Sequence, residues 1–196
     1  MNEEKGACCQ NSFCMALPES LRAKICFNKQ TIRVKKKQTF IFPDNKIIIV
    51  RSGVIIPCSI RDDGKEKGLS IKTPGTLLGA SQMFSDKDVV FNIYVISNFE
   101  GCALPVKFFE NMFENDIEFA KQVLRAVSNN LTRHSGFTSE LALSDSKTKV
   151  QLLVNMINSL KSEFPGIEMT HEEMSVLLGL NRVTVTKQIS NIKKTN

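Results

Sequence analysis

Met169-Thr-His-Glu-Glu-Met-Ser-Val-Leu-Leu-Gly-Leu-Asn-Arg-Val-Thr-Val-Thr-Lys-Gln-Ile-Ser-Asn-Ile-Lys-Lys194 is the stretch on which the rest of the chain turns. Thr170 followed three residues later by Glu173 has the form of a capping box, so a helix begins at His171. Gly179 stands where that helix must turn and supplies a left-handed backbone. Asn181 is a good N-cap for a second helix. Two short helices joined by a brief turn containing Gly make a helix-turn-helix. Met174, Leu177, Leu178 and Leu180 form one half of a small core, and Val185, Ile189 and Ile192 form the other. That leaves Arg182, Val183, Thr186, Lys187 and Ser190 on the outer face. From Arg182 to Asn196 there are four positive charges and no acid, so the face turned from the core is small, polar and cationic. A DNA major groove asks those properties of a helix that enters it. The plainer alternative is a helical hairpin with a basic surface.

Upstream, apolar periodicity predicts two more helices. Val150, Leu153, Val154, Ile157 and Leu160 line one face of a helix opened by Ser144 or Asp145 and ended by Pro165-Gly166. Before it, from about Asp116, Ile117, Leu124, Leu131 and Thr138 recur every seven residues, as do Ala120, Val127, His134 and Leu141. The two series interleave at spacings of three and four, and a heptad seam held that long favours a partner helix, hence a homodimer. His134, on the seam, reads as a packed residue rather than a sensor.

Residues from about 28 to 106 read as short strands: Ile32–Val34, Thr39–Phe42, Ile47–Val50, Val54–Ile60, Leu69–Ile71 and Asn92–Ser97. Turn signals separate them, Asp63-Gly64 being the strongest hairpin signal. Evenly spaced short strands predict an antiparallel barrel or jelly roll. Lys35-Lys36-Lys37 reads as a solvated loop at its edge.

The bulk numbers agree with a soluble, core-forming chain. Of 196 residues, 42% are hydrophobic and 23% charged, enough apolar material for a core. The net charge of +6 fits a polyanionic partner better than an acidic one. No apolar run is long enough to span a membrane, and Met1 to Lys5 lacks a secretory pattern. The expected location is the cytoplasm, where Cys8, Cys9, Cys14, Cys26, Cys58 and Cys102 point to metal or redox chemistry more than to disulfides. Only His134 and His171 are present, both in helical segments outside the barrel, so no histidine-ligated metalloenzyme site is legible, nor is any triad or phosphate loop. The chain reads as a regulator and not as an enzyme.

With this order of parts the sequence resembles the Crp/Fnr family of bacterial transcription regulators. Gly53, Asp62-Asp63-Gly64, Pro74-Gly75, Leu78-Gly79 and Phe84 fall at the family's spacing in the roll, and Arg182-Val-Thr-Val-Thr-Lys187 matches its recognition-helix stretch. The resemblance implies an α+β fold. Its parts are an N-terminal cysteine segment and antiparallel β-roll of the cyclic-nucleotide-binding jelly-roll kind over 1–113, a dimerisation helix over 114–143 and a helix-turn-helix domain over 144–196. It further implies that Arg182 and Lys187 reach bases or phosphates and that Thr184 or Thr186 bonds phosphate. Double-stranded DNA would then be read as a palindrome, with RNA polymerase a partner if the protein activates.

Three departures follow. Cyclic-nucleotide binders of the family carry a Gly-Glu and an Arg-Ser pair, whereas this chain has Gly79-Ala80 and Val90-Phe91. A phosphate without its Arg would be a buried unpaired charge, which argues against cAMP. Many relatives carry Glu where this chain has Val183. Glu accepts from cytosine N4, while Val suits a thymine methyl, so an A·T-rich half-site of the TTAA type is expected. Relatives also continue into a strand past the recognition helix, whereas this sequence stops at Asn196, so the DNA-binding domain is expected to be loosely held.

Oxygen-sensing relatives hold an iron–sulfur cluster, and Cys8-x5-Cys14 with Cys102 matches part of their ligand pattern. Lys5 stands at a third position, leaving Cys9 or Cys26 to supply the fourth thiolate such a cluster needs. A thiol–disulfide switch on Cys8, Cys9 or Cys14 is a second reading, and an unknown small-molecule effector with inert cysteines a third. Cys58 reads as strand interior. A roll pocket lined by Phe40, Ile56 and Phe91 would point to an apolar effector. Two function classes remain: a dimeric regulator gated by an effector or redox signal, or a sensor and interaction module of the same fold with weak or lost DNA binding.

Overall fold

The computed structural model describes residues 12–61, 63–84, 91–164 and 166–195. Its eight strands are β1 (Gln30–Val34), β2 (Thr39–Ile41), β3 (Lys46–Ser52), β4 (Ile55–Ile60), β5 (Glu66–Gly68), β6 (Leu77–Leu78), β7 (Asn92–Val95) and β8 (Phe99–Pro105). Among the described residues they form two antiparallel sheets, ordered β1-β8-β3-β6 and β2-β7-β4-β5. Apart from the β4–β5 hairpin, successive strands alternate between the sheets, which is jelly-roll wrapping. Ile48 and Val50 of one sheet meet Ile55, Ile93 and Val95 of the other in a shared core.

The Asp63-Gly64 turn joins β4 to β5, with Gly64 at φ 77 and the Arg61 amide donating to the Lys65 carbonyl at 2.9 Å; Asp62 lies outside the described residues. The strand expected at Leu69–Ile71 is displaced to Glu66–Gly68. Its ladder runs from Cys58↔Gly68 and resumes only at the single bridge Ile55↔Lys72, so one extra residue opposes β4 there. An unmatched residue disrupts a ladder as a bulge does.

Three helices escaped the sequence reading: α1 (Ser12–Met15), α2 (Glu19–Asn28) and α3 (Val106–Asn115). Phe13, Leu17, Leu21 and Ile25 close one end of the roll against Ile47, Ile49, Leu104 and Phe109. The long helix α4 (Ile117–Leu143) starts on Asp116, whose carboxylate accepts from the Glu118 and Phe119 amides. Its inward contacts are Phe119 and Val123, both fully buried. The first heptad series faces out instead: Ile117, Leu124 and Leu131 are 68%, 54% and 63% exposed. Of the second series, Ala120 and Leu141 are buried, Val127 is exposed and His134 is half-buried. Helices α5 (Ser146–Glu163), α6 (His171–Leu178) and α7 (Arg182–Thr195) complete the chain. Asp145 caps α5, and Gly166 after it has φ 86, while Pro165 is outside the described residues.

Candidate nucleic-acid interface

Local chemistry fixes the α6–α7 turn. Thr170 accepts from the Glu173 amide, and the Glu173 carboxylate accepts from the Thr170 amide at 2.6 Å, closing the capping box. Gly179 adopts φ 66 and ψ 35, a conformation that penalises any residue with a Cβ. The Asn181 side chain then accepts from the Val183 amide at 2.8 Å and opens α7. Met174, Leu177, Leu178, Val185 and Ile192 are buried together with Val150, Leu153 and Ile157 of α5; Leu180 and Ile189 are partly buried against them.

On the other side of α7, Arg182, Val183, Thr186 and Lys187 line a shallow open cavity of about 350 Å³. Val183 is 75% exposed, although an isolated apolar side chain gains nothing from water. The Arg182 guanidinium is 3.8 Å from Glu172 with both groups largely exposed, so the pair is weak and the charge stays at the disposal of a partner. Thr184 is half-buried and Ser190 exposed. Two hydroxyls are turned back into the helix: Thr186 donates to the Arg182 carbonyl and Ser190 to the Thr186 carbonyl, each at 3.0 Å. A hydroxyl has one proton. The proton of Thr186, one of the two hydroxyls expected to bond phosphate, is thus engaged within its own helix here, as is that of Ser190.

The helix-turn-helix also leans on the roll, which no sequence signal announced. Val54, Ile56, Cys58 and Ile96 share one apolar cluster with α5, α6 and α7. A Cβ on Gly68 would lie 2.9 Å from the Leu177 Cα, so α6 rests on the sheet at the one residue type that admits it. Lys67 donates to the Leu177 carbonyl at 2.6 Å, placing a cation on the C-terminal end of α6, where the helix dipole favours it. Burial, then the nearby Lys149, holds the Lys67 ammonium below its usual pKa. Lys36 donates to the Gly166 carbonyl at 3.0 Å and pairs with Glu168 at 3.3 Å, so it is a bridge between the domains rather than the solvated loop residue expected. Burial, reinforced by Glu66, pushes the Cys58 thiol up to about 12. Glu66 itself accepts from Asn92 at 3.0 Å and from the Tyr94 hydroxyl.

In the roll, Cys14 and Cys102 are both buried in one cluster, with Cys26 packed at its edge. The structure thus brings together the two expected cysteines that it describes; Cys8 and Cys9 lie outside the described residues. Among the described residues no three His, Cys, Asp or Glu groups converge to hold a metal ion, so they do not by themselves make a four-thiolate site. Burial also removes Cys14 from the exposed thiols that a disulfide switch needs. Ala80, where cyclic-nucleotide binders have Glu, is buried, and Phe91 packs its ring 5.2 Å from that of Phe42; Val90 is outside the described residues. Phe40 and Phe91 border the roll core, but Ile56 belongs to the cluster under the helix-turn-helix, so the three do not line one pocket. Lys72, lowered to about 8 by burial and by Arg133, donates to Asn130 of α4 and ties the roll to the long helix.

A jelly roll, a long helix with an exposed apolar seam and a helix-turn-helix with a cationic outer face make up the described architecture. Solved structures of Crp/Fnr-family regulators share this fold. A Crp/Fnr-family transcriptional regulator of Eubacterium rectale superposes with a TM-score of 0.72 at 15% identity, over 94% of this chain and 87% of that one. The c-di-GMP-responsive global regulator CLP of Xanthomonas campestris gives 0.70 at 15% identity, over 90% and 91%. A Crp/Fnr-family regulator of Thermus thermophilus gives 0.66 at 20% identity, over 85% and 87%. No protein-family model and no curated protein sequence matches the chain. Among the described residues no helix is long and apolar enough to cross a membrane.

Proposed function

We propose that this chain is a dimeric, sequence-specific DNA-binding transcription regulator of the Crp/Fnr type, and not an enzyme. The observation that carries the proposal is α7 itself: it has no acidic residue, and Arg182, Val183, Thr186 and Lys187 stand out from a helix-turn-helix on this fold. The exposed Ile117, Leu124 and Leu131 are the surface on which a second copy would close a parallel helix pair. Two such copies would set their recognition helices into successive major grooves about 34 Å apart, on a palindrome of A·T-rich half-sites. The signal is a small effector other than cAMP or a redox change, sensed in the roll and passed along α4. RNA polymerase is the further partner if the outcome is activation, and the cytoplasm is the place of action.

The test is site selection from random duplex DNA at low salt, with native mass measured on the same sample. Recovery of an inverted repeat of TTAA-type half-sites by a dimer supports the reading. Failure to retain any duplex turns it into the alternative, an interaction module without DNA binding. Affinity should fall steeply with salt. Iron analysis of anaerobically purified protein tests a cluster built on Cys14 and Cys102 with thiolates from Cys8, Cys9 or Cys26.

A further inference from the structure

His171 lies at the start of α6, yet its Nδ1 is 2.8 Å from the Oγ1 of Thr186, fifteen residues later on α7. The same Oγ1 donates its proton to the Arg182 carbonyl at 3.0 Å. With that proton on the carbonyl, His171 is assigned as the donor, through Nδ1–H, and Thr186 as the acceptor. The hydroxyl is thereby held between its own helix and the neighbouring one. The remaining substituent on Cβ, the methyl group, is what the exposed Thr186 can offer outward. Val183 lies one helical turn before it on the same face and is also open to solvent. Arg182 and Lys187 flank the pair.

We propose that Thr186 reads thymine through its methyl group, with His171 as the positioning residue that keeps its hydroxyl turned away from the DNA. The proposal rests on the DNA-binding reading above and names the chemistry of its contact. Val183 and the Thr186 methyl make a two-residue apolar strip that fits the C5-methyl groups of neighbouring thymines, the one apolar feature of the major-groove edge. A threonine whose hydroxyl were free would instead offer its proton to phosphate or to a base acceptor, and would tolerate loss of the thymine methyl.

The experiment uses the full chain and a duplex carrying two inverted TTAA half-sites, in which each thymidine in turn is replaced by deoxyuridine. This removes the methyl and leaves every hydrogen bond. Wild-type affinity should drop about three- to fivefold per half-site at the thymine under Thr186, the scale of one buried methyl. Thr186→Ser, which keeps the hydroxyl, should bind thymine and uracil alike at that step. Thr186→Val, which keeps the methyl, should retain the discrimination. His171→Ala should narrow the thymine-to-uracil ratio at that step while leaving the ratio under Val183 and the melting temperature unchanged. Tight binding with equal affinity for both bases at every step overturns the methyl readout and leaves the DNA-binding reading standing. An unchanged ratio in His171→Ala overturns the positioning role alone. No binding to any duplex overturns both readings.

Discussion

Helices α6 and α7 belong to one motif, are joined by one turn and are treated in opposite ways by the fold. α6 is held on every side that matters: Leu177 and Leu178 are buried, Gly68 lets its backbone rest on β5, and Lys67 occupies its C-terminal end. α7 buries Val185 and Ile192 and leaves Val183 more exposed than any interior logic would allow. The contrast separates two tasks. A helix that positions must resist displacement, whereas a helix that reads must keep its best contacts open until a partner arrives. On the proposed function, stability and recognition would be lodged in different residues barely ten positions apart.

Substitutions can break that contrast. Leu177→Ala removes a fully buried side chain from the cluster shared with the roll and should cost about 2–5 kcal/mol in chemical denaturation. Val183→Ala should change stability by no more than about 0.5 kcal/mol while weakening the preference for thymine. Similar melting of the two variants would erase the distinction. Val183→Glu comes next in size. A carboxylate there can accept from cytosine N4, so site selection should move that step from A·T toward C·G by about 1–3 kcal/mol. An unchanged selected site would mean that Val183 does not face the bases.

Smaller effects sharpen the picture. Lys67→Ala removes the cation from the end of α6 and should cost up to about 1 kcal/mol, seen as faster amide exchange in α6 ahead of α7. Its pH dependence has a defined sign. The folded-state pKa lies below the usual 10.5, so just beneath that pH the unfolded chain holds more protons and stability rises with pH. That rise should be missing in Lys67→Ala. Smallest is the effect of charge on the reading helix. Arg182→Ala and Lys187→Ala should each lower the slope of log affinity against log salt by about 1 if the residue neutralises a phosphate, with folding untouched. A slope that does not move would assign that side chain to a base edge.

The helix-turn-helix was legible because its determinants are local. The Thr170–Glu173 box, Gly179 and Asn181 act within a turn or two of themselves, so spacing alone reveals them. The heptad series was legible for the same reason, and its outward face follows from Phe119 and Val123 taking the inward one. What depends on distant partners was not. β8 lies between β1 and β3, and α1 exists because Phe13 has Phe119 to pack against, edge to face, more than a hundred residues on. Lys36 read as a solvated charge, and Lys67 carried no signal, because their acceptors, the carbonyls of Gly166 and Leu177, lie more than a hundred residues away. His171 likewise read as an ordinary helix-start residue until Thr186 came within reach.

Cys58 gives the joint between roll and reader a clock. Its sulfur is fully buried in the cluster that α6 covers, and its thiol is held far from the acidity at which alkylating reagents find a thiolate. Labelling at Cys58 therefore requires that cluster to open, and its rate is expected to count the openings. If duplex DNA binds the docked form the clock should slow, and if it captures the opened form the clock should speed up.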